Sequence, residues 1–88
     1  MSNYVLVTGG AGYIGSHSVL ALMEAGYNPI VLDNFSNSSR ESISGIEKIY
    51  GAGPAVIEGD VGNSSLLMDI FLSYDVESVL HFSGLKSV

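Results

Sequence analysis

Residues 8–17 read TGGAGYIGSH and place Gly9, Gly12 and Gly15 at intervals of three, directly after the apolar run YVLV at residues 4–7. The chemistry this pattern suits is anion binding. A pyrophosphate needs close approach to backbone N–H groups at a helix N-terminus, where unpaired donors and the helix dipole favour negative charge. A Cβ in the turn would block that approach. On this reading Gly9 makes the tight turn out of a strand and Gly12 lets phosphates lie against the backbone. Gly15 lets the following helix pack close to the strand. A glycine triplet taken alone is weak evidence for this, and a tight turn between packed elements is the commoner reason for one.

A carboxylate stands at a suitable distance. Asp33 lies 21 positions after Gly12, at the end of the apolar stretch PIVLD. There it can accept hydrogen bonds from the hydroxyls of an adenosine ribose and repel a 2′-phosphate, which favours NAD over NADP. Asp60 similarly ends AVIEGD; a loop carboxylate or a helix cap is its alternative role. Arg40 can answer a phosphate, but it follows a long polar loop and reads as a solvated helix residue. His17 reads as a helix residue, and His81, inside SVLHF, as a packed strand residue. The two are far apart and cysteine is absent, so neither a metal site nor a disulfide framework is expected.

The elements that must carry these residues alternate. Short apolar runs at 4–7, 29–33, 55–60 and 78–82 predict strands. Periodic segments predict helices over 13–25, over 40–50, and from a cap at Asn63 or Ser64 through 73. The expected inward faces are Ile14, Ser18, Ala21, Leu22 and Ala25, widened by Val19 and Leu20, in the first helix and Ile43, Ile46 and Ile49 or Tyr50 in the second. In the third they are Leu66, Leu67, Ile70 and Phe71. Continuous apolar strands alternating with helices predict an α/β fold, a partial Rossmann-type doubly wound parallel sheet of strand order 3-2-1-4 with helices on both faces.

The chain has 88 residues, 47% hydrophobic and 14% charged, and a formal charge of −6 from nine acidic and three basic residues. That composition is globular. The acidic balance disfavours nucleic acid and anionic membranes as partners. No apolar stretch approaches the roughly 20 residues of a membrane helix. MSNYVLV has no basic segment of the kind that opens a signal peptide, so a reduced, cytoplasmic setting is expected. The sequons at Asn34, Asn37 and Asn63 are then chance matches.

The glycine spacing is G-x-x-G-x-x-G, and VTGGAGYIGSH resembles the extended short-chain dehydrogenase/reductase superfamily, which acts largely on nucleotide sugars. Three further stretches, LDNFSNSSR, EGDV and LHFSGLKSV, are similar to those of the UDP-glucose (UDP-galactose) 4-epimerases; Ser83 and Ser87 stand where that family usually has alanine. The resemblance spans essentially the whole chain and implies bound NAD. By matching position, Tyr13 and Ile14 would lie at the pyrophosphate turn. Asp33, Asn34, Asn37 and Ser38 would hold the ribose and nearby phosphate, within a loop that includes Phe35 and Ser36. Asp60 would bind the adenine amino group, with Val61 alongside. Phe82, Ser83, Gly84, Leu85 and Lys86 would line the path to the nicotinamide.

The implied chemistry is a hydride transfer from the sugar C4′ to NAD⁺ and back to the other face, with a tyrosinate as base. That base belongs to a Tyr-x-x-x-Lys pair, whose lysine lowers the tyrosine pKa. Four positions after Tyr4, Tyr13, Tyr27, Tyr50 and Tyr74 stand Thr8, His17, Val31, Pro54 and Ser78, and none is lysine. No catalytic residue is therefore expected in residues 1–88, which read as the N-terminal part of an NAD-binding domain. The UDP-hexose would be bound only by the complete protein, a homodimer by resemblance. Another nucleotide-sugar dehydratase or decarboxylase, or a non-catalytic NAD-binding module, are the alternatives.

Overall fold

The computed structural model describes residues 3–36, 38 and 40–82. Strand β1 (Tyr4–Thr8) leads into helix α1 (Tyr13–Glu24), β2 (Asn28–Asp33) into α2 (Glu41–Tyr50), and β3 (Ala55–Glu58) into α3 (Ser64–Ser73); β4 (Val76–His81) follows. The strands form one sheet in the order β3-β2-β1-β4, and every pairing is parallel. The expected order is the observed one. The third strand is shorter than its apolar run, because the chain leaves the sheet after Glu58 and Asp60 falls in the turn.

Side chains of successive strand residues point to opposite faces, and the core divides accordingly. Val5, Val7 and Val31 pack with Val19 and Met23 of α1 and Ile43 and Ile46 of α2 on one face. Leu6, Ile30 and Leu32 pack with Ile70 of α3 on the other, where Leu66 and Leu67 are partly buried. β1 and β2 are thus covered on both sides, which is why they are unbroken apolar runs.

α1 presents a buried stripe that coincides with the expected face only at Val19. Its buried residues are Gly15, Val19 and Met23, spaced by four, whereas Ile14 is 57% exposed and Ala21 and Ala25 lie in solvent. The cause is steric. Gly9 takes φ 73 to turn the chain out of β1, and α1 then lies so close to the turn that a Cβ on Gly15 would collide with the Gly9 carbonyl oxygen and come within 2.9 Å of Gly10 Cα. That approach sets the rotation of the helix about its axis. In α2, Ile49 (70% exposed) is outside the core and Tyr50 is only partly covered. Tyr50 donates its hydroxyl to the Met23 carbonyl at 3.0 Å. In α3, Phe71 also faces outward.

β4 departs most from expectation. Read as a buried strand, it is exposed along nearly its whole length, Val79 and Leu80 included. It pairs with β1, and among the described residues only Val76, at its start, packs against the cluster that holds Ile70 of α3. Burial of a strand face comes from the layers above and below it, which the strand's own residues do not provide.

The contact at Gly15 makes a direct prediction. Gly15→Ala in the intact protein lowers stability by about 1–3 kcal/mol, the scale of overpacking against atoms that cannot yield. Gly45, in mid-α2, has open space where a Cβ would go. Gly45→Ala therefore raises stability by roughly 0.5–1 kcal/mol through helix propensity. Urea unfolding of both variants checks the pair.

Candidate functional site

The parallel register brings the four C-terminal strand ends level. Thr8 lies beside Leu32 and His81, and Asp33 beside Glu58. The ladder continues one residue beyond the strands: Gly9 N–H donates to the Leu32 carbonyl at 2.8 Å, Gly59 N–H to Asp33 at 3.0 Å, and Phe82 N–H to Thr8 at 2.9 Å. Strand order reverses at β1, whose successors lie on opposite sides of it. In open α/β sheets that switch point is where ligands bind.

A cavity of about 470 Å³ opens there. Its walls are Gly9, Gly12, Tyr13, Ile14 and Gly15 from the β1–α1 turn, Leu32, Asp33, Asn34, Ser36 and Ser38 from the end of β2, Gly59, Asp60 and Val61 after β3, and Phe82 after β4. The structure brings together most of the residues singled out in the sequence. Asn37, Ser83, Gly84, Leu85 and Lys86 lie outside the described residues.

Phe35 does not line the cavity. It takes φ 58 and packs its ring against the core on the α1 and α2 face. The Arg40 guanidinium lies over that ring, 4.4 Å from its centroid, and pairs with Glu58 at 2.5 Å. Arg40 is thus engaged by its neighbours, although both charged side chains remain about 60% exposed.

The turn over β1 leaves backbone donors facing the cavity. α1 begins at Gly12 without a side-chain cap. The N–H groups of Tyr13, Ile14 and Gly15 therefore have no carbonyl in their own helix to donate to. Gly12 itself has φ −75 and ψ 176, open to any residue, and a Cβ there would meet only the Gly9 carbonyl oxygen, at an ordinary 3.4 Å. Among the described residues, neither a left-handed turn nor packing accounts for glycine at this position. Gly10, by contrast, is confined: a Cβ would lie 3.0 Å from Val31 Cγ1 and 3.1 Å from the Val7 carbonyl oxygen. Spacing did not single out Gly10, because that constraint comes from β2.

Asp33 ties the walls together. Its Oδ2 accepts from Ala11 N–H at 3.0 Å, and Oδ1 accepts from Phe35 N–H at 2.8 Å and Ser38 Oγ at 3.1 Å. Asn34 donates through Nδ2 to Asp60 Oδ1 at 2.6 Å and accepts from Ser36 N–H and Oγ at 3.0 and 2.8 Å. Asp60 does not cap α3; Asn63 does, with its Oδ1 accepting from Leu66 N–H at 3.1 Å. Below the cavity, the buried Thr8 hydroxyl meets His81 Nδ1 at 2.6 Å. His81 is exposed, not packed in the strand as expected, because β4 is uncovered. His17 is an exposed helix residue whose ring meets Tyr13 edge-on at 4.7 Å. Among the described residues no group of acidic and histidine side chains is placed to hold a metal ion, and no helix is long and apolar enough to cross a membrane.

The family model described as GDP-mannose 4,6 dehydratase matches residues 6–88. The chain belongs to this family. Within it, the chain is 55% identical over 84 residues to a UDP-glucose 4-epimerase of Yersinia enterocolitica, a match covering 96% of this chain and 25% of that one. Among solved structures, it is similar to the UDP-glucose 4-epimerase of Bifidobacterium longum in complex with NAD⁺ and UDP (TM-score 0.88, 38% identity, 92% of this chain and 24% of that one). It is likewise similar to that of Stenotrophomonas maltophila with bound NAD and formylated UDP-arabinopyranose (TM-score 0.87, 34% identity, 91% and 24%). The chain spans about a quarter of the length of the curated relatives it matches. The family assignment agrees with the nucleotide-sugar resemblance read from VTGGAGYIGSH and LHFSGLKSV.

In this family member Asp33 holds structure as well as charge. Asp33→Ala removes the acceptor of three hydrogen bonds. It should lower the stability of the ligand-free protein by about 1.5–3 kcal/mol, the scale for hydrogen bonds to a charged group. Urea unfolding without added nucleotide reads the loss directly.

Proposed function

We propose that residues 1–88 are the N-terminal, NAD-binding part of a UDP-glucose/UDP-galactose 4-epimerase. The observation that carries this reading is Gly12: a glycine at the uncapped start of a helix, facing the cavity, that no packing among the described residues requires. A dinucleotide supplies the reason, because a pyrophosphate would occupy the space of a Cβ. The bound NAD reported in similar epimerase structures supports the choice of ligand.

In this reading the N–H groups at the start of α1 receive the pyrophosphate, with Gly9, Gly12, Tyr13, Ile14 and Gly15 forming the wall. Asp33 binds the adenosine ribose within the loop of Asn34, Phe35, Ser36, Asn37 and Ser38. Phe35 serves there through its backbone, since its ring is turned to the core. Asp60 and Val61 face the adenine. Phe82, Ser83, Gly84, Leu85 and Lys86 lead to the nicotinamide. NAD⁺, when bound, supplies reversible hydride transfer at the sugar C4′. The tyrosine base, its lysine partner and the UDP-hexose site belong to the rest of the enzyme, which we read as a cytoplasmic homodimer. The second reading is a nucleotide-sugar dehydratase, which the description of the matching family model favours.

The intact protein incubated with UDP-galactose should accumulate UDP-glucose until the two reach equilibrium, while residues 1–88 alone show no turnover. Irreversible loss of water from the sugar would establish the dehydratase instead, and epimerisation by residues 1–88 would refute the division of labour. Gly12→Ala should leave the ligand-free melting temperature within a few degrees of wild type, the shift that about 1 kcal/mol produces. NAD⁺ affinity should fall by roughly tenfold or more, about 1.4 kcal/mol. Unchanged NAD⁺ affinity in calorimetric titration would overturn the phosphate cradle.

A further inference from the structure

The peptide between Ala11 and Gly12 leads into α1, and both of its polar ends are held. Its N–H, that of Gly12, donates to the Gly9 carbonyl at 3.1 Å. Its carbonyl, that of Ala11, accepts from Ser42 Oγ at 2.7 Å. The preceding peptide is held by the Ala11 N–H bond to Asp33. Two hydrogen bonds at opposite ends of a rigid peptide fix its plane. That plane sets the direction in which α1 starts and its first N–H groups point. Ser42 comes from the first turn of α2, 31 positions along the chain from Ala11. It is well placed because Ala11, 2% exposed, packs in the same core as Ile43 and Ile46 of α2. Ser42 is not among the residues that line the cavity.

We propose that Ser42 is a positioning residue for the pyrophosphate turn, holding the Ala11–Gly12 peptide in its receiving orientation before the ligand arrives. The inference rests on the dinucleotide reading of the cavity. It adds a residue that does not touch the ligand and acts through one backbone carbonyl. A preformed turn spares the ligand the cost of ordering it, so loss of the hydroxyl weakens binding by the ordering the turn then requires. The effect is confined to ligands that carry the phosphates. Adenosine, held between Asp33 and Asp60, gains nothing from the orientation of this peptide.

The test compares Ser42→Ala and Ser42→Thr in the intact protein. Calorimetry should find ADP and NAD⁺ bound roughly three- to tenfold more weakly by Ser42→Ala, the range of one neutral hydrogen bond, with adenosine affinity unchanged. Ser42→Thr, which keeps the hydroxyl, should restore both. Without ligand, the Gly12 and Ser16 amides should exchange faster in Ser42→Ala, while those of Leu6, Val7 and Ile30 keep their protection. Undiminished ADP and NAD⁺ affinity, an equal loss for adenosine, or no recovery in Ser42→Thr would overturn the proposal. Failure of the wild-type protein to bind adenosine or NAD⁺ would instead sink the dinucleotide reading, and amide exchange would still decide whether Ser42 holds the turn.

Discussion

The carboxylate of Asp33 sits where the glycine turn and the β2 loop meet above the sheet. A carboxylate offers two oxygens and room for about four donors, so one such group can hold several loops at once. Here it takes the Ala11 N–H of the glycine turn and, from its own loop, the Phe35 N–H and the Ser38 hydroxyl. The glycine turn and the β2 loop face each other across the cavity, joined in sequence only through the length of α1 and β2. Asp33 fixes their separation. It also shapes its own loop, since the Phe35 bond spans two residues and accompanies the left-handed φ of 58. Local carboxylate-to-backbone bonds of this kind favour such turns. Asn34 extends the framework to the third strand through Asp60.

The glycines of the turn serve different ends, although their spacing makes them look alike. Gly9 is required by backbone conformation, and Gly15 by its approach to the Gly9 carbonyl. Gly10, outside the three-residue spacing, is confined by Val31 and the Val7 carbonyl. Gly12 meets none of these constraints. A motif of this kind thus combines positions that the fold needs with one that packing among the described residues does not require.

The apolar surface is distributed unevenly. The face bearing α1 and α2 joins two helices to β1 and β2 through Val19, Met23, Ile43 and Ile46. On the opposite side α3 contributes one fully buried residue, Ile70, and leaves Met68, Phe71 and Leu72 largely in solvent. The turn, Asp33 and Ser42 all stand on the better-packed side. The rigidity of the α1–α2 contact therefore passes directly to the β1–α1 turn.

Local pattern was enough for the element order, the parallel sheet and its 3-2-1-4 arrangement. Apolar runs and glycine breaks act over a few residues, and right-handed crossovers leave few ways to join them. It was also enough to mark Gly12 and Asp33 as cavity residues, because the ends of parallel strands meet at one edge; Asp60 was marked by the family resemblance. Tertiary packing decided what depends on distant atoms. It turned α1 to bury Gly15, Val19 and Met23, because the Gly9 carbonyl leaves no room for a Cβ at residue 15. It drew Phe35 into the core beneath Arg40 and gave the cap of α3 to Asn63. It brought Ser42 to Ala11 across 31 positions, a contact without any local signature, because a hydroxyl in a helical first turn looks the same whatever carbonyl it meets.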